Sequence, residues 1–235
     1  MNKANIEYDI HVDPQPTVTS CGPTCLEALY SYYGVDNIRG KLIDQIQYTE
    51  DGGTLGVILG TDALERNFQV TIHTHNLMVF DPTWFDIKQE QLALKLRLQS
   101  QTSKSAKTRQ ASNYYAQFIE KSGQILFRSL NAEFLYQLLK DNGPVICGLS
   151  STYLYQCQRE TNDTMIYDDI NGYAQGHFVV LCGITGDRSH VFVTDPFDSN
   201  PTFGGQKYWV DIQHFINSVL VGVITYDANF ILIKK

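Results

Sequence analysis

None of the five cysteines, Cys21, Cys25, Cys147, Cys157 and Cys182, pairs with another at the C-x-x-C spacing of a zinc site or a dithiol motif. Their number is odd and no leader precedes them, so a disulfide framework is not expected. Cys147 and Cys182 lie inside apolar runs and read as small buried hydrophobes. Positive charge is also short. A net charge of −7 argues against a general nucleic-acid partner. Long apolar runs are missing too. The start, MNKANIEYDI, has no stretch of the length a secretory signal needs. The most apolar segment, VLVGVITYDANFILI, is broken by Asp227 and Asn229 and reads as two β-strands around a turn, not as a membrane span. The stretch DGGTLG lacks the Lys-Ser/Thr of a phosphate loop, which excludes that form of nucleotide binding. The expectation is a cytoplasmic chain with no membrane association, no cofactor and no metal.

What is present is a globular composition, 43% hydrophobic and 18% charged over 235 residues, with glycine and proline at ordinary levels. Cys25, Leu26, Leu29, Tyr32 and Tyr33 recur at three- and four-residue steps, with Pro23 in the first turn and Gly34 as the stop, so the spacing predicts a helix that begins near Cys21. A second helix follows DGGTLG through Leu59, Ala63 and Leu64, and FQVTIH alternates as a strand does. From Trp84 to Ser122 two polar helices are expected, joined by SQTSKSAKT. Residues 131–142 form another helix, stopped by Gly143-Pro144. VICGLS, HFVVLCGI and HVFVTD are short, β-branched and aromatic, and complete a C-terminal sheet. The order predicts an α+β fold in a single domain, residues 1–235, with an N-terminal helix, a helical middle segment and a C-terminal antiparallel sheet.

Four residues of this layout suggest a chemistry. A thiol attacks a carbonyl as its thiolate, which a helix N-terminus and a neighbouring imidazolium both favour. Cys21 has the first by position, and His177, opening the strand HFVVLCGI, is the candidate for the second. A third group should hold the imidazole by its other nitrogen. Folding HFVVLCGI and HVFVTD into a hairpin about Gly186-Asp187 brings Asp195 opposite His177. The oxyanion of the tetrahedral intermediate needs donors. The backbone N–H of Cys21 is one, and the amide of Gln15, held extended between Pro14 and Pro16, is another.

The string Q-P-T-V-T-S-C-G-P-T-C-L resembles the nucleophile motif of the C39-like peptidases, a papain-like group that includes the leader-cleaving domains of bacteriocin exporters. GHFVVLCGI resembles the histidine motif of that group, VTDPF its D-P motif, and GPVICGLSSTYL a strand of its stand-alone, non-transporter members. The resemblance implies a papain-like cysteine proteinase fold and a cysteine peptidase acting on a peptide or protein substrate, with Gln15, Cys21, His177 and Asp195 as the carried-over site. The position of Cys25 varies in the group and receives no role. Two other functions fit the same residues. One is an acyl transferase with an amine acceptor, as in the papain-like phytochelatin synthases acting on glutathione. The other is a peptide-binding module without catalysis.

The middle segment has no counterpart in the resemblance. Between Lys88 and Arg128 stand eight basic residues and two acidic ones, a local excess of six that leaves the remainder near −13. The plain reading is a solvated helical surface, and the sharper one is a positive face flanking the substrate groove. His73 and His75 share a strand face and could supply half a metal site. With no cysteine or carboxylate near them, exposed strand decoration is the expectation.

Overall fold

A computed structural model describes residues 4–35, 38, 40–49, 52–161 and 166–235. The chain opens with a short strand, β1 (Ile6–Glu7), and a strap that runs past the future site. It then enters α1 (Cys21–Tyr32), α2 (Leu42–Gln45) and α3 (Gly56–Glu65). Strand β2 (Gln69–Thr74) leads to the expected pair of helices, α4 (Gln89–Thr102) and α5 (Ala106–Glu120), separated by only three residues. There follow β3 (Gln124–Leu126), α6 (Ala132–Asn142), β4 (Val145–Ser150), α7 (Ser151–Leu154) and a small hairpin of β5 (Glu160–Thr161) and β6 (Ile166–Tyr167). The chain ends with β7 (Gly176–Ile184), β8 (His190–Thr194), β9 (Lys207–Asp211), α8 (Ile212–Val221) and β10 (Asn229–Lys234).

Seven strands lie in the order β3-β2-β10-β4-β7-β8-β9, with β1 also pairing to β7. Among the described residues only β2 and β3 pair in parallel. The pleat sends alternate side chains to opposite faces, and β7 shows this directly. Phe178, Val180 and Cys182 join a core with Leu26 and Leu29 of α1, Leu59 of α3 and Tyr115 and Phe118 of α5. Val179 and Leu181 join a second core with Leu135 and Leu139 of α6 and Phe215 and Val219 of α8. Buried on both faces, β7 is the rigid centre of the molecule, and His177 stands at its start. The architecture is mixed α and β with a mostly antiparallel sheet, as expected.

One expected strand is a helix. VLVGVIT belongs to the end of α8 and a 3₁₀ turn over Gly222–Thr225, and only the following FILI is sheet. The cause lies upstream: the Asp211 carboxylate accepts from the Gln213 and His214 N–H groups and caps a helix start, after which Phe215, Ile216 and Val219 bury at helical spacing. His73 of β2 and His75 just beyond it also differ from expectation. His73 is buried at 7% exposure, edge-on to Phe134, and His75 bonds the Arg128 carbonyl at 2.8 Å. Burial drives the His73 imidazole down to about 4, so it is a neutral core residue and not surface decoration. Among the described residues no helix is long and apolar enough to cross a membrane.

Candidate active site

Helix α1 is buried over its first ten residues, Cys21 to Tyr30. Its close seating depends on Gly22, where a Cβ would come within 3.1 Å of the Phe178 ring and 3.2 Å of Leu59. No side chain caps its N-terminus. The Ser20 hydroxyl turns back to the Thr17 carbonyl at 2.9 Å, leaving the positive end of the helix to the residue that begins it, Cys21. Cys21 is 8% exposed and faces a cleft.

His177 meets Cys21 from the start of β7. The ring is close enough to feel the Cys21 thiol, while Nε2 lies 2.8 Å from Oδ1 of Asp195. Burial alone would push the imidazole down. Asp195 and Cys21 together outweigh it and hold the ring well above the ordinary histidine value, so it stands protonated between them.

Asp195 is fully buried and satisfied on both oxygens. Besides His177, Oδ1 accepts the Phe197 N–H at 2.8 Å, and Oδ2 accepts the hydroxyls of Tyr155, at 2.8 Å, and Tyr208. Burial opposes its ionisation, but the imidazolium and these donors bring the carboxyl below its usual range. The two phenols shift the other way, first by burial and then by the Asp195 charge, and stay donors. The hairpin brings Asp195 to His177 as the fold-back predicts, though not directly opposite it. Thr194 pairs with Val180, with a bulge between Leu181 and Gly183, and His177 lies across from Leu149 of β4. Asp195 sits just past the end of β8, and its side chain reaches His177 diagonally as the chain turns at Pro196.

Gln15 reaches the site on the N-terminal strap. Its backbone N–H donates to the Pro196 carbonyl at 2.8 Å, and Gln206 bridges the Val12 and Asp195 carbonyls, so strap and Asp-Pro turn are tied together. The Gln15 amide donates to the Thr17 carbonyl at 2.9 Å, and its Oε1 is buried without a partner. A primary amide has two N–H hydrogens, so a donor remains for a ligand. Three of the four sequence-selected residues therefore border one place, with Gln15 and His177 lining one hollow and Cys21 and His177 its neighbour, and Asp195 is buried behind His177.

Those two hollows share Val18, Thr19, Gln175, Gly176 and His177 and form one cleft. The hollow on the Gln15 side, of about 100 Å³, also has Tyr155, Cys157, Glu160, Tyr167 and Phe197 in its walls. The other, of about 390 Å³, adds Thr54, Lys107 and Asp227. Asp227 was read from the sequence as part of a turn and was not selected for the site. It is 5% exposed, accepts from the Thr225 hydroxyl at 2.7 Å, and is raised to about 7 chiefly by burial. It lies between two non-glycine residues in the left-handed region, Tyr226 and Ala228. A Cβ on Gly176 would fall 2.0 Å from its Oδ2, which requires glycine just before His177. Tyr155 and Tyr208 were also missed. For Tyr208 a signal exists, the alternation of buried and exposed residues in KYWVD.

Several cations of the basic middle segment are engaged locally. Arg97 pairs with Glu120 and Lys121 with Glu65, Lys95 lies over the Trp84 ring at 5.4 Å, and Arg109 bonds the Ser103 and Lys104 carbonyls. Of the eight basic residues, Lys107 at the start of α5 is in the cleft wall. Among the described residues no group of three or more His, Cys, Asp or Glu side chains is placed to hold a metal.

No curated protein sequence matches the chain. Among solved structures it is similar to a chain described as a C39-like peptidase from Bacillus anthracis, with 15% identity, 99% and 98% of the two chains covered and a TM-score of 0.53, a likeness of fold. It also aligns with xylellain, a cysteine protease from Xylella fastidiosa, at 15% identity, 100% and 87% coverage and a TM-score of 0.44. The model of the Peptidase_C39 like family matches residues 6–220. With that match over most of its length, the chain belongs to the Peptidase_C39 like family.

Proposed function

We propose that this chain is a thiol hydrolase of peptide or isopeptide bonds, acting on a peptide or protein substrate through Cys21, His177, Asp195 and Gln15. The observation that carries the reading is the position of His177. It is held by a buried, four-donor carboxylate on one side and set against the helix-mouth thiol on the other. In the proposed cycle the Cys21 thiolate attacks the carbonyl carbon, and the electron pair of the C–O π bond moves to oxygen, where the Cys21 N–H and the Gln15 amide receive it. The intermediate collapses to a thioester as His177 gives its proton to the leaving amine. Water then attacks the thioester, His177 takes its proton, and the thiolate leaves. Asp195 keeps the ring oriented and its charge compensated throughout, with Tyr155 and Tyr208 as positioning residues.

The test is cleavage of a mixed peptide library by the purified protein, with new termini read by mass spectrometry. Wild type should release them, and Cys21→Ser should lose on the order of 10⁴-fold or more while keeping its melting temperature. Equal turnover by the variant would refute the assignment. Glutathione in the same assay separates hydrolysis from transfer, because appearance of its transpeptidation product without hydrolysis would make the chain a transferase.

A further inference from the structure

We infer that Glu160 makes the hollow on the Gln15 side a subsite for a lysine or arginine side chain of the substrate, an inference that rests on the hydrolase reading above. Its walls are largely polar but carry three aromatic rings, Tyr155, Tyr167 and Phe197, and the Tyr155 and Phe197 rings lie 6.1 Å apart. Its volume of about 100 Å³ leaves room for one side chain rather than for a larger ligand. Aromatic rings and a carboxylate lining one small hollow match a long aliphatic stem carrying a cationic head.

Glu160 is held rather than loosely displayed. Its backbone N–H and C=O exchange hydrogen bonds with Tyr173 at 3.1 and 2.8 Å, and it pairs across β5–β6 with Tyr167. Gly172 admits this close approach, since a Cβ there would sit 2.8 Å from the Glu160 nitrogen. The side chain is half-buried, and among the described residues its carboxylate has no hydrogen-bond donor and no cation partner. The adjacent Arg159 is turned away, onto the Asp169 and Ile170 carbonyls. His177, in the same wall, answers to Asp195 and Cys21. The other cleft carboxylate, Asp227, is already engaged by Thr225 and lies in the field of Lys107. Glu160 is therefore the negative group in the cleft left for a ligand, and a half-buried carboxylate is a costly group to leave unpaired.

The experiment uses a peptide library in which one position at a time holds lysine, arginine, norleucine or glutamate. Cleaved products are collected from wild type, and retained peptides from Cys21→Ala, which reads binding apart from turnover. Lysine and arginine should be enriched over norleucine at one position by about tenfold, the size of one charge-assisted hydrogen bond, and less so at high salt. Glu160→Gln should erase the enrichment, and Glu160→Lys should turn it towards glutamate. No basic enrichment in either pool, or enrichment that survives Glu160→Gln, overturns the subsite whatever the turnover. Basic enrichment among retained peptides without any cleavage overturns hydrolysis and leaves the subsite standing.

Discussion

Cys21 and Cys25 are one turn apart on the same helix, and the turn between them separates two environments. Cys25 is fully buried, with its Sγ donating to the Phe178 carbonyl at 3.3 Å, and burial pushes its thiol well above the ordinary value. Cys21, at the mouth, faces the cleft and the His177 ring. The nearby Cys21 and Asp195 add to that rise. What separates the two positions is their setting, one beside an imidazole at the edge of a cleft and the other in the core, not the helix they share.

The largest effect that would sharpen this contrast, after loss of Cys21 itself, is expected at Gln15. Gln15→Ala should lower kcat by about 10² to 10³-fold with KM little changed, the usual cost of one oxyanion donor. A loss confined to KM would make Gln15 a substrate-binding residue instead. Next comes the support of Asp195. Tyr208→Phe removes one of four donors and should cost about tenfold in kcat/KM. The sign of its pH effect follows from the shift. The Asp195 carboxyl is held below its usual range, so losing a donor raises it, and the acid limb of the activity profile should move to higher pH. An unmoved limb would reduce Tyr208 to packing. The smallest effect is expected one turn below the mouth. Cys25→Ser keeps a donor for the Phe178 carbonyl and should leave activity within about threefold, with a stability cost of about 1 kcal/mol from the buried polar exchange. A loss comparable to that of Cys21→Ser would erase the distinction between the two thiols.

The parts of the site that could be read from the sequence were those with local causes. The start of α1 follows from Pro23 and its end from Gly34, whose φ of 72° is the left-handed stop that the pattern implies. Helix α6 runs from the Asn131 cap, which accepts the Phe134 N–H at 2.8 Å, to Gly143. The site residues were legible because each stands next to a marked local feature: a helix mouth, a strand start, an Asp-Pro turn, a Pro-flanked strap. What escaped depends on chain crossings. Tyr155 and Tyr208 reach Asp195 over 40 and 13 residues, and ordinary aromatic spacing carries no sign of it. Asp227 was hidden because it reads as a turn between two strands, whereas the first of those runs is helix under the Asp211 cap and a 3₁₀ turn that leads Asp227 into the cleft wall. The bulge at Leu181/Gly183 shifted the hairpin, so the approach of Asp195 to His177 was foreseeable only as a neighbourhood.

The proposed partnership of Cys21 and His177 is most directly tested by iodoacetamide labelling of Cys21 across pH, in wild type and in His177→Ala. The His177 ring, raised by Asp195 and Cys21, keeps its proton at and above neutrality and loses it only as pH climbs past the ordinary histidine range. Labelling of wild-type Cys21 should therefore stay fast well below pH 8 and outpace that of Cys25, Cys147 and Cys182. In His177→Ala the profile should move towards that of an ordinary thiol, half-maximal near about 8.5. An identical profile in the two proteins would contradict the account.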